Sequence, residues 1–555
     1  MAGEVREFDV IVIGSGFGGS VMTCRLAEKG YRVCLLERGR EYGFNAFPRR
    51  IHELKQAFWD PRDGLDGLFE FRSHPDSDIC TLTASGLGGG SLIYANVLIP
   101  MDEELFEGWP GGINRSVLEP YYQKVLGTME AAPYPFDDDP YYADTPKTAA
   151  LKDAAGRLGQ DPDATAPPHG FFPHLAVWFK GTVPGEQSPN AHGVLQSRCI
   201  KCGECDIGCN IHAKNTLDLN YIARARNGAL LGPQGVPADV RTNAEAVDIV
   251  PDGGGYRVTY RSSGDAAQAA HETLHAGKVV VSCGSVGSAG LLLRLKRSNS
   301  LPKLSDALGK KWCGNGDLEG TVLGAGTEIV PTKGPVITYA IKYTYRPYPD
   351  GFAHQIYVED AGFPAFLAWY AAGKIPSGRK FVQRIKLLWK FIVRIFKRRP
   401  EINIGDDLSR MIDNDGLIRH TMLLLGMGRD RSDGEVVLDE QGDAAVKWRA
   451  AGSRLHIDRQ KREMKRLAKA MDGKFLVNPL TYIDKLIAVH PLGGCAMADD
   501  PAGGVVGPNG EVFNYPGLYV VDGSILPTSI GPNPSLTIAA LAERIADQFP
   551  ARGGT

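Results

Sequence analysis

Four cysteines crowd into Cys199-Ile-Lys-Cys202-Gly-Glu-Cys205-Asp-Ile-Gly-Cys209. Their C-x2-C-x2-C-x3-C spacing is that of the bacterial ferredoxin run, in which a compact loop wraps thiolates around an iron–sulfur cluster. Asn210 stands where that run has proline. Either all four thiolates bind one cluster, of 4Fe-4S or 3Fe-4S type, or three do and a remote cysteine completes the set. Cys283, Cys313 and Cys495 are the candidates for that remote ligand. The same thiolates suit tetrahedral zinc, and free or paired thiols are the reading without a metal.

A second kind of chemistry is written in the first forty residues. Phe8-Asp-Val-Ile-Val-Ile is a short β-branched run, suited to a buried parallel strand. Gly14-Ser-Gly16-Phe17-Gly18-Gly19 follows, and Ser20 to Gly30 reads as a helix with a glycine stop. A second strand, Arg32 to Leu36, leads to Glu37 and Arg38. Strand, glycine turn, helix, strand and acid together make a dinucleotide site. The glycines let the backbone approach a pyrophosphate, and the helix N-terminus supplies partial positive charge. Glu37 is placed to accept ribose hydroxyls and disfavours a 2′-phosphate. The motif alone does not choose FAD over NAD.

The chain that must position these groups has 555 residues. At roughly 100–200 residues per domain it holds two to four folding units. Apolar residues are 43% and charged residues 23%, which excludes wholesale disorder. The net charge of −2 carries no basic footprint for nucleic acid. No uncharged apolar run reaches the ~20 residues of a membrane span, and Met1 to Phe8 leave no room for a secretory signal. The expected location is cytoplasmic, peripheral on the inner face of the membrane. Residues 379–399 suggest that contact: they carry nine basic residues and no acid, with Phe381, Ile385, Leu388, Ile392 and Ile395 at helical spacing. A packed lid helix is the other reading of that stretch. Residues 132–190, rich in proline and aspartate, read as a long loop or cap, with an aspartate cation site at 137–139 as the lesser option. Tyr256–Tyr260 and Pro335–Tyr345 alternate and predict antiparallel strands.

Other stretches carry a family likeness. They are Ser85-Gly-Leu-Gly88-Gly89-Gly90-Ser91-Leu-Ile-Tyr-Ala-Asn96, Lys310-Lys-Trp-Cys-Gly-Asn-Gly-Asp317, Leu425-Gly-Met-Gly-Arg-Asp-Arg431 and His490-Pro-Leu-Gly-Gly-Cys495. Leu518-Tyr-Val-Val-Asp522-Gly523 and Gly531-Pro-Asn533-Pro534-Ser535 complete the set. With the N-terminal unit, these resemble the glucose–methanol–choline (GMC) oxidoreductases, and among them the cholesterol oxidase-like branch. Residues 325–420 add little to the likeness.

The resemblance implies FAD and an α/β fold of two domains. One is a Rossmann-like FAD-binding domain assembled from 1–105, 195–320 and 480–555. The other is a substrate-binding domain with an antiparallel sheet, from 106–194 and 321–479. It assigns Gly88, Gly89, Gly90, Ser91, Asn96, Val247, Gly284, Asp522, Gly523, Asn533 and Pro534 to the cofactor, beside Gly14, Gly16, Phe17, Gly18, Gly19, Glu37 and Arg38. The helix beginning at Ser535 would turn its positive end to the flavin. His490 and Asn533 match the family's active-site pair. His490 would orient or deprotonate the alcohol, and Asn533 would hold the substrate oxygen near flavin N5. The acid that assists in cholesterol oxidases finds no clear match; Glu359 and Asp360 are the candidates.

The function expected is oxidation of a hydrophobic alcohol, steroid, long-chain or cyclic. An iron–sulfur cluster would relay electrons to a quinone, cytochrome or other carrier. The competing expectations are an oxygen-using oxidase, a flavin-dependent steroid isomerase and an inactive membrane-binding flavoprotein.

Overall fold

The computed structural model describes residues 7–49, 51–263, 271–362, 418–478, 481 and 485–552. The basic segment 379–399 lies outside the described residues.

The glycine-turn unit forms where the sequence places it: β1 (Phe8–Ile13), α1 (Phe17–Glu28) and β2 (Val33–Leu36). Further along come β3 (Asp239–Arg241), β4 (Ala244–Asp252), β5 (Gly255–Ser262), β6 (His271–Val281) and α2 (Ser285–Arg297). β1 runs parallel to both β2 and β6, with Ile11 opposite Cys34 and Ile13 opposite Val281. β3 adds in parallel to β2, and β6, β5 and β4 form an antiparallel meander. Val10, Ile11 and Val12 are wholly buried. A strand covered on both faces needs such a continuous β-branched run, and each side chain contributes about 1.5–3 kcal/mol by leaving water.

A second sheet is antiparallel throughout. It comprises β7 (Leu318–Leu323), β8 (Ala340–Tyr345), β9 (His354–Ala361), β10 (Met422–Gly428) and β11 (Lys474–Val477). The order is β11-β7-β10-β9-β8, with His169–Phe171 beyond β8. Before β11 comes α3 (Arg454–Ala470), whose buried Ile457, Gln460, Met464 and Leu467 recur at three- and four-residue intervals. Met464 sits over Gly320 and Gly426, where a Cβ would collide with it. The even-numbered face of β10 therefore packs on α3, and Leu423, Leu425 and Met427 point the other way.

The chain then returns to the first sheet. β12 (Leu518–Val520) joins β6 in parallel, with Val520 opposite Val281. α4 (Ser535–Asp547) lies against α1, where Arg25 Nε donates to Glu543 Oε1 at 2.9 Å.

Two expectations need correction. Residues 132–190 contain helices at Pro140–Ala143 and Pro146–Arg157. Their prolines occupy first-turn positions, where the missing N–H costs nothing. Asp139 caps the first helix through Tyr141 N, and Asp137 pairs with Lys152. The strand expected from Pro335 begins only at Ala340. Thr338 and Tyr339 give their N–H groups to Asp360 Oδ1, at 2.8 and 2.7 Å, instead of to a strand.

Candidate active site

The glycine turn closes by burial of backbone against backbone. A Cβ on Gly18 would stand 1.7 Å from the Val521 carbonyl oxygen, and one on Gly19 would stand 1.9 Å from that of Gly14. Gly14 itself has φ +95° and abuts Ser282. Gly16 differs: a Cβ there would meet nothing within 4 Å. Gly90 and Gly284 open onto space in the same way. The second glycine loop seats on the first, Gly89 against the Gly16 Cα. Phe17 stacks edge-on with Tyr94 at 5.5 Å.

Glu37 is turned inward. Its Oε2 accepts from Ser15 N at 3.0 Å and Ser15 Oγ at 2.5 Å, and its Oε1 accepts from Gly39 N at 2.8 Å. The carboxylate expected to meet a ribose thus also ties the glycine turn to the end of β2. Arg38 pairs with Glu70 and lies over the Trp59 ring. Ser91 Oγ donates to Gly88 O and accepts from Leu217 N. Val247 sits where β4 breaks register with β5. Asp522 Oδ2 takes Gly284 N at 2.9 Å and Ser288 Oγ at 2.5 Å, and Oδ1 takes Ser524 N at 2.8 Å. That bridge locks the β6–α2 turn to the end of β12. Gly523 packs near Ile538 and Leu492, and Pro534 caps α4.

Several buried polar atoms in this cradle lack protein partners: Ser85 Oγ, Asn96 Oδ1 and Asn533 Oδ1. Buried polar groups are satisfied as a rule. Open glycines beside orphaned acceptors and donors suit a phosphate-bearing, hydrogen-bonding cofactor.

His490 is fixed from behind. Its Nδ1 lies 2.7 Å from Asp317 Oδ1, while Asp317 Oδ2 takes the N–H groups of Val489 and His490 at 2.7 and 2.8 Å. A carboxylate only accepts, so Nδ1 carries the proton and Nε2 presents its lone pair. Asn533 Nδ2 faces Glu359 Oε2 at 3.4 Å. Glu359 lies on β9, and burial pushes its carboxyl up to about 8. Strand alternation separates the two acids left open by sequence. Glu359 points toward Asn533, whereas Asp360 points the other way into an ion pair with buried Lys147. Across the sheet, Leu425 stands directly between Glu359 and Glu319.

Cys199, Cys202, Cys205 and Cys209 line one small pocket with Lys214. None of Cys283, Cys313 and Cys495 reaches it. Lys214 Nζ donates to the carbonyls of Leu92, Tyr94 and Cys205 at 3.1, 2.8 and 2.7 Å, joining the cysteine loop to the second glycine loop. Burial pushes the Cys199 and Cys202 thiols up. Among the described residues, no group of three or more His, Cys, Asp and Glu is arranged to hold a metal ion. No helix among them is long and apolar enough to cross a membrane.

Sequence reasoning missed Asp317 and Lys214 and left Glu359 undecided. Asp317 lay in a stretch already marked by likeness, yet only the fold brings it to a residue 173 positions away.

A nucleotide cradle on a mostly parallel sheet, joined in one chain to an antiparallel sheet, is the architecture of a flavin-type oxidoreductase. Known proteins agree. The GMC oxidoreductase family model matches residues 430–542, and an NAD(P)-binding Rossmann-like domain model matches 12–62. A cholesterol oxidase of Acinetobacter baumannii is 30% identical, covering 98% of this chain and 95% of its own. A 2-methyl-1,2-propanediol dehydrogenase of Mycolicibacterium austroafricanum is 23% identical over 100% of this chain and 97% of its own. The crystal structure of pyridoxine 4-oxidase from Mesorbium loti shares the fold, with TM-score 0.58, 16% identity and coverage of 98% and 99%. The chain belongs to the GMC oxidoreductase family, on its cholesterol oxidase-like branch, and is an FAD-type enzyme of that family.

Proposed function

We propose that the protein is an FAD-dependent dehydrogenase that oxidises the CH–OH group of a hydrophobic alcohol, sterol-like or long-chain. The observations that carry this reading are His490, held by Asp317 through Nδ1, and Asn533, whose Nδ2 faces Glu359. Gly16, Gly90, Gly284, Asn96 and Asp522 would hold the cofactor, and FAD bound there supplies a hydride acceptor. His490 Nε2 takes the hydroxyl proton. Asn533 keeps the substrate oxygen in place, with one N–H on Glu359 and the other turned to substrate. Glu359, whose carboxyl burial pushes up to about 8, adds little charge beside its cross-strand neighbour Leu425, which suits a hydrophobic body better than a sugar. Anaerobic stopped-flow mixing with a sterol and with a long-chain alcohol tests this. Bleaching of the flavin band is expected; an unchanged band with both rejects the reading.

The finer part of the proposal is the electron path. Four cysteines around one cavity suit an iron–sulfur core, whose irons spread over several ångströms. A single zinc requires all sulfurs at about 2.3 Å from one point. When bound, such a cluster supplies one-electron steps toward a quinone, cytochrome or other carrier. Iron and acid-labile sulfide analysis with EPR of dithionite-reduced protein tests it. An iron-free protein making one hydrogen peroxide per alcohol instead supports the oxygen-using reading, which the name of the Acinetobacter relative favours. Peripheral membrane contact through 379–399 is proposed on its sequence alone.

A further inference from the structure

The turn that carries Asp317 is clamped through its backbone by α3 and by Asp430. Gly316 O accepts from His456 Nε2 at 3.1 Å and from Gln460 Nε2 at 2.8 Å. Gly314 N donates to Asp430 Oδ2 at 3.1 Å. Gly316 has φ +68°, and a Cβ there would stand 2.2 Å from His456 Nε2, so the ring fills the space that glycine leaves.

Behind His456 lies a chain of buried hydrogen bonds whose direction is forced. Arg459 Nη1 lies 2.6 Å from His354 Nδ1. A guanidinium only donates, so His354 Nδ1 accepts and its proton sits on Nε2. His354 Nε2 is 3.0 Å from His456 Nδ1, which therefore accepts in turn. His456 must then carry its proton on Nε2 and give it to Gly316 O, which can only accept. Both rings are held neutral. Burial first, then His456 and the arginines nearby, push His354 down to about 2, while burial, opposed by its bond to Gly316, takes His456 to about 4.

We infer that the Arg459–His354–His456 relay is a positioning device for the catalytic histidine. It pins the Gly316 carbonyl, so the Asp317 carboxylate stays aligned on His490 Nδ1, and His490 stays in the tautomer that offers Nε2 to the alcohol. The same logic of an outer partner fixing a catalytic imidazole operates at metal sites and in hydrolase triads. This inference rests on the reading of His490 as the base, and its test is separable from that reading.

The test uses the flavin-loaded protein with ¹⁵N-labelled histidine. Ring ¹⁵N signals report each tautomer without turnover. In the wild type, His354 and His456 are expected as neutral Nε2–H rings and His490 as Nδ1–H. His456→Leu is expected to turn His490 into a mixture of tautomers. It is also expected to slow alcohol-driven flavin reduction at least thirtyfold, with substrate affinity within threefold. His456→Gln can accept from His354 through Oε1 and donate to Gly316 through Nε2, and is expected to restore the rate to within fivefold of wild type. Should His456→Leu not accumulate, Arg459→Met frees His354 to take either tautomer, and the His456 signal should split. An unmoved His490 tautomer in folded His456→Leu or Arg459→Met overturns the inference. So does a His456→Gln protein as slow as His456→Leu, which would make the ring a matter of packing. If no alcohol bleaches the wild-type flavin, the proposed reaction falls, while the ring signals still judge the relay.

Discussion

Asp317 holds His490 three times over: by one ring N–H and by the backbone N–H groups of Val489 and His490 itself. Ring and backbone are thus seated on a single carboxylate. Replacing Asp317 by Asn keeps the shape but offers an N–H where the ring needs an acceptor. The His490 tautomer should reverse, and flavin reduction by alcohol should slow by about 10²–10⁴-fold, the usual scale of general acid–base catalysis. Stopped-flow rates with an unchanged melting temperature would check this.

The glycines of the first turn separate into two kinds. Gly18→Ala drives a methyl into the Val521 carbonyl, so the apo-protein should lose several degrees of thermal stability or fail to accumulate. Gly16→Ala meets no protein atom. The apo-protein should melt normally but bind FAD at least tenfold more weakly, by fluorescence titration. Normal FAD affinity in Gly16→Ala would place the pyrophosphate elsewhere.

Burial holds both Glu359 and Glu319 up to about 8. In the unfolded chain such acids titrate near 4.3. Between those values the native state binds more protons than the unfolded one. Stability is therefore fully present below about pH 4.3 and is lost as pH rises through about 8. Scanning calorimetry from pH 5 to 9 should show a falling melting temperature for these two acids, and a shallower fall in the Glu319→Gln, Glu359→Gln double variant.

Cys205 lines the cavity and shares its carbonyl with Lys214. Cys205→Ser should abolish iron and sulfide content while the flavin spectrum and alcohol-driven bleaching persist. Reoxidation by an artificial one-electron acceptor should slow at least tenfold. Equal reoxidation rates would remove the cluster from the path.

Sequence showed some of this molecule well. The period and the glycine stop of the first unit depend on local chemistry, so β1, α1 and β2 were legible, although α1 begins at Phe17 inside the glycine turn rather than at Ser20. The helix at Ser535–Asp547 was legible for the same reason. Pro140 and Pro146 misled because a proline that ends one helix also starts the next. Glu359 and Asp360 are adjacent in sequence, and only the strand's alternation shows which of them faces Asn533. The pairing of Asp317 with His490, and of Arg459 with His354 and His456, depends on strands and a helix meeting from distant parts of the chain. No local pattern records such meetings.

The pairing of β12 with β6, a strand made much earlier, has a consequence for biosynthesis. Gly18 rests on the Val521 carbonyl, and Arg25 is held by Glu543. A nascent chain still missing residues 518–547 has made its glycine turn but lacks the Val521 carbonyl beneath Gly18 and the Glu543 carboxylate beside Arg25. Long-range closures of this kind are slow, so the half-made cradle must wait exposed on the ribosome. Loading with the yellow cofactor should then be a post-translational event, and its supply in the cell should set how much polypeptide escapes proteolysis.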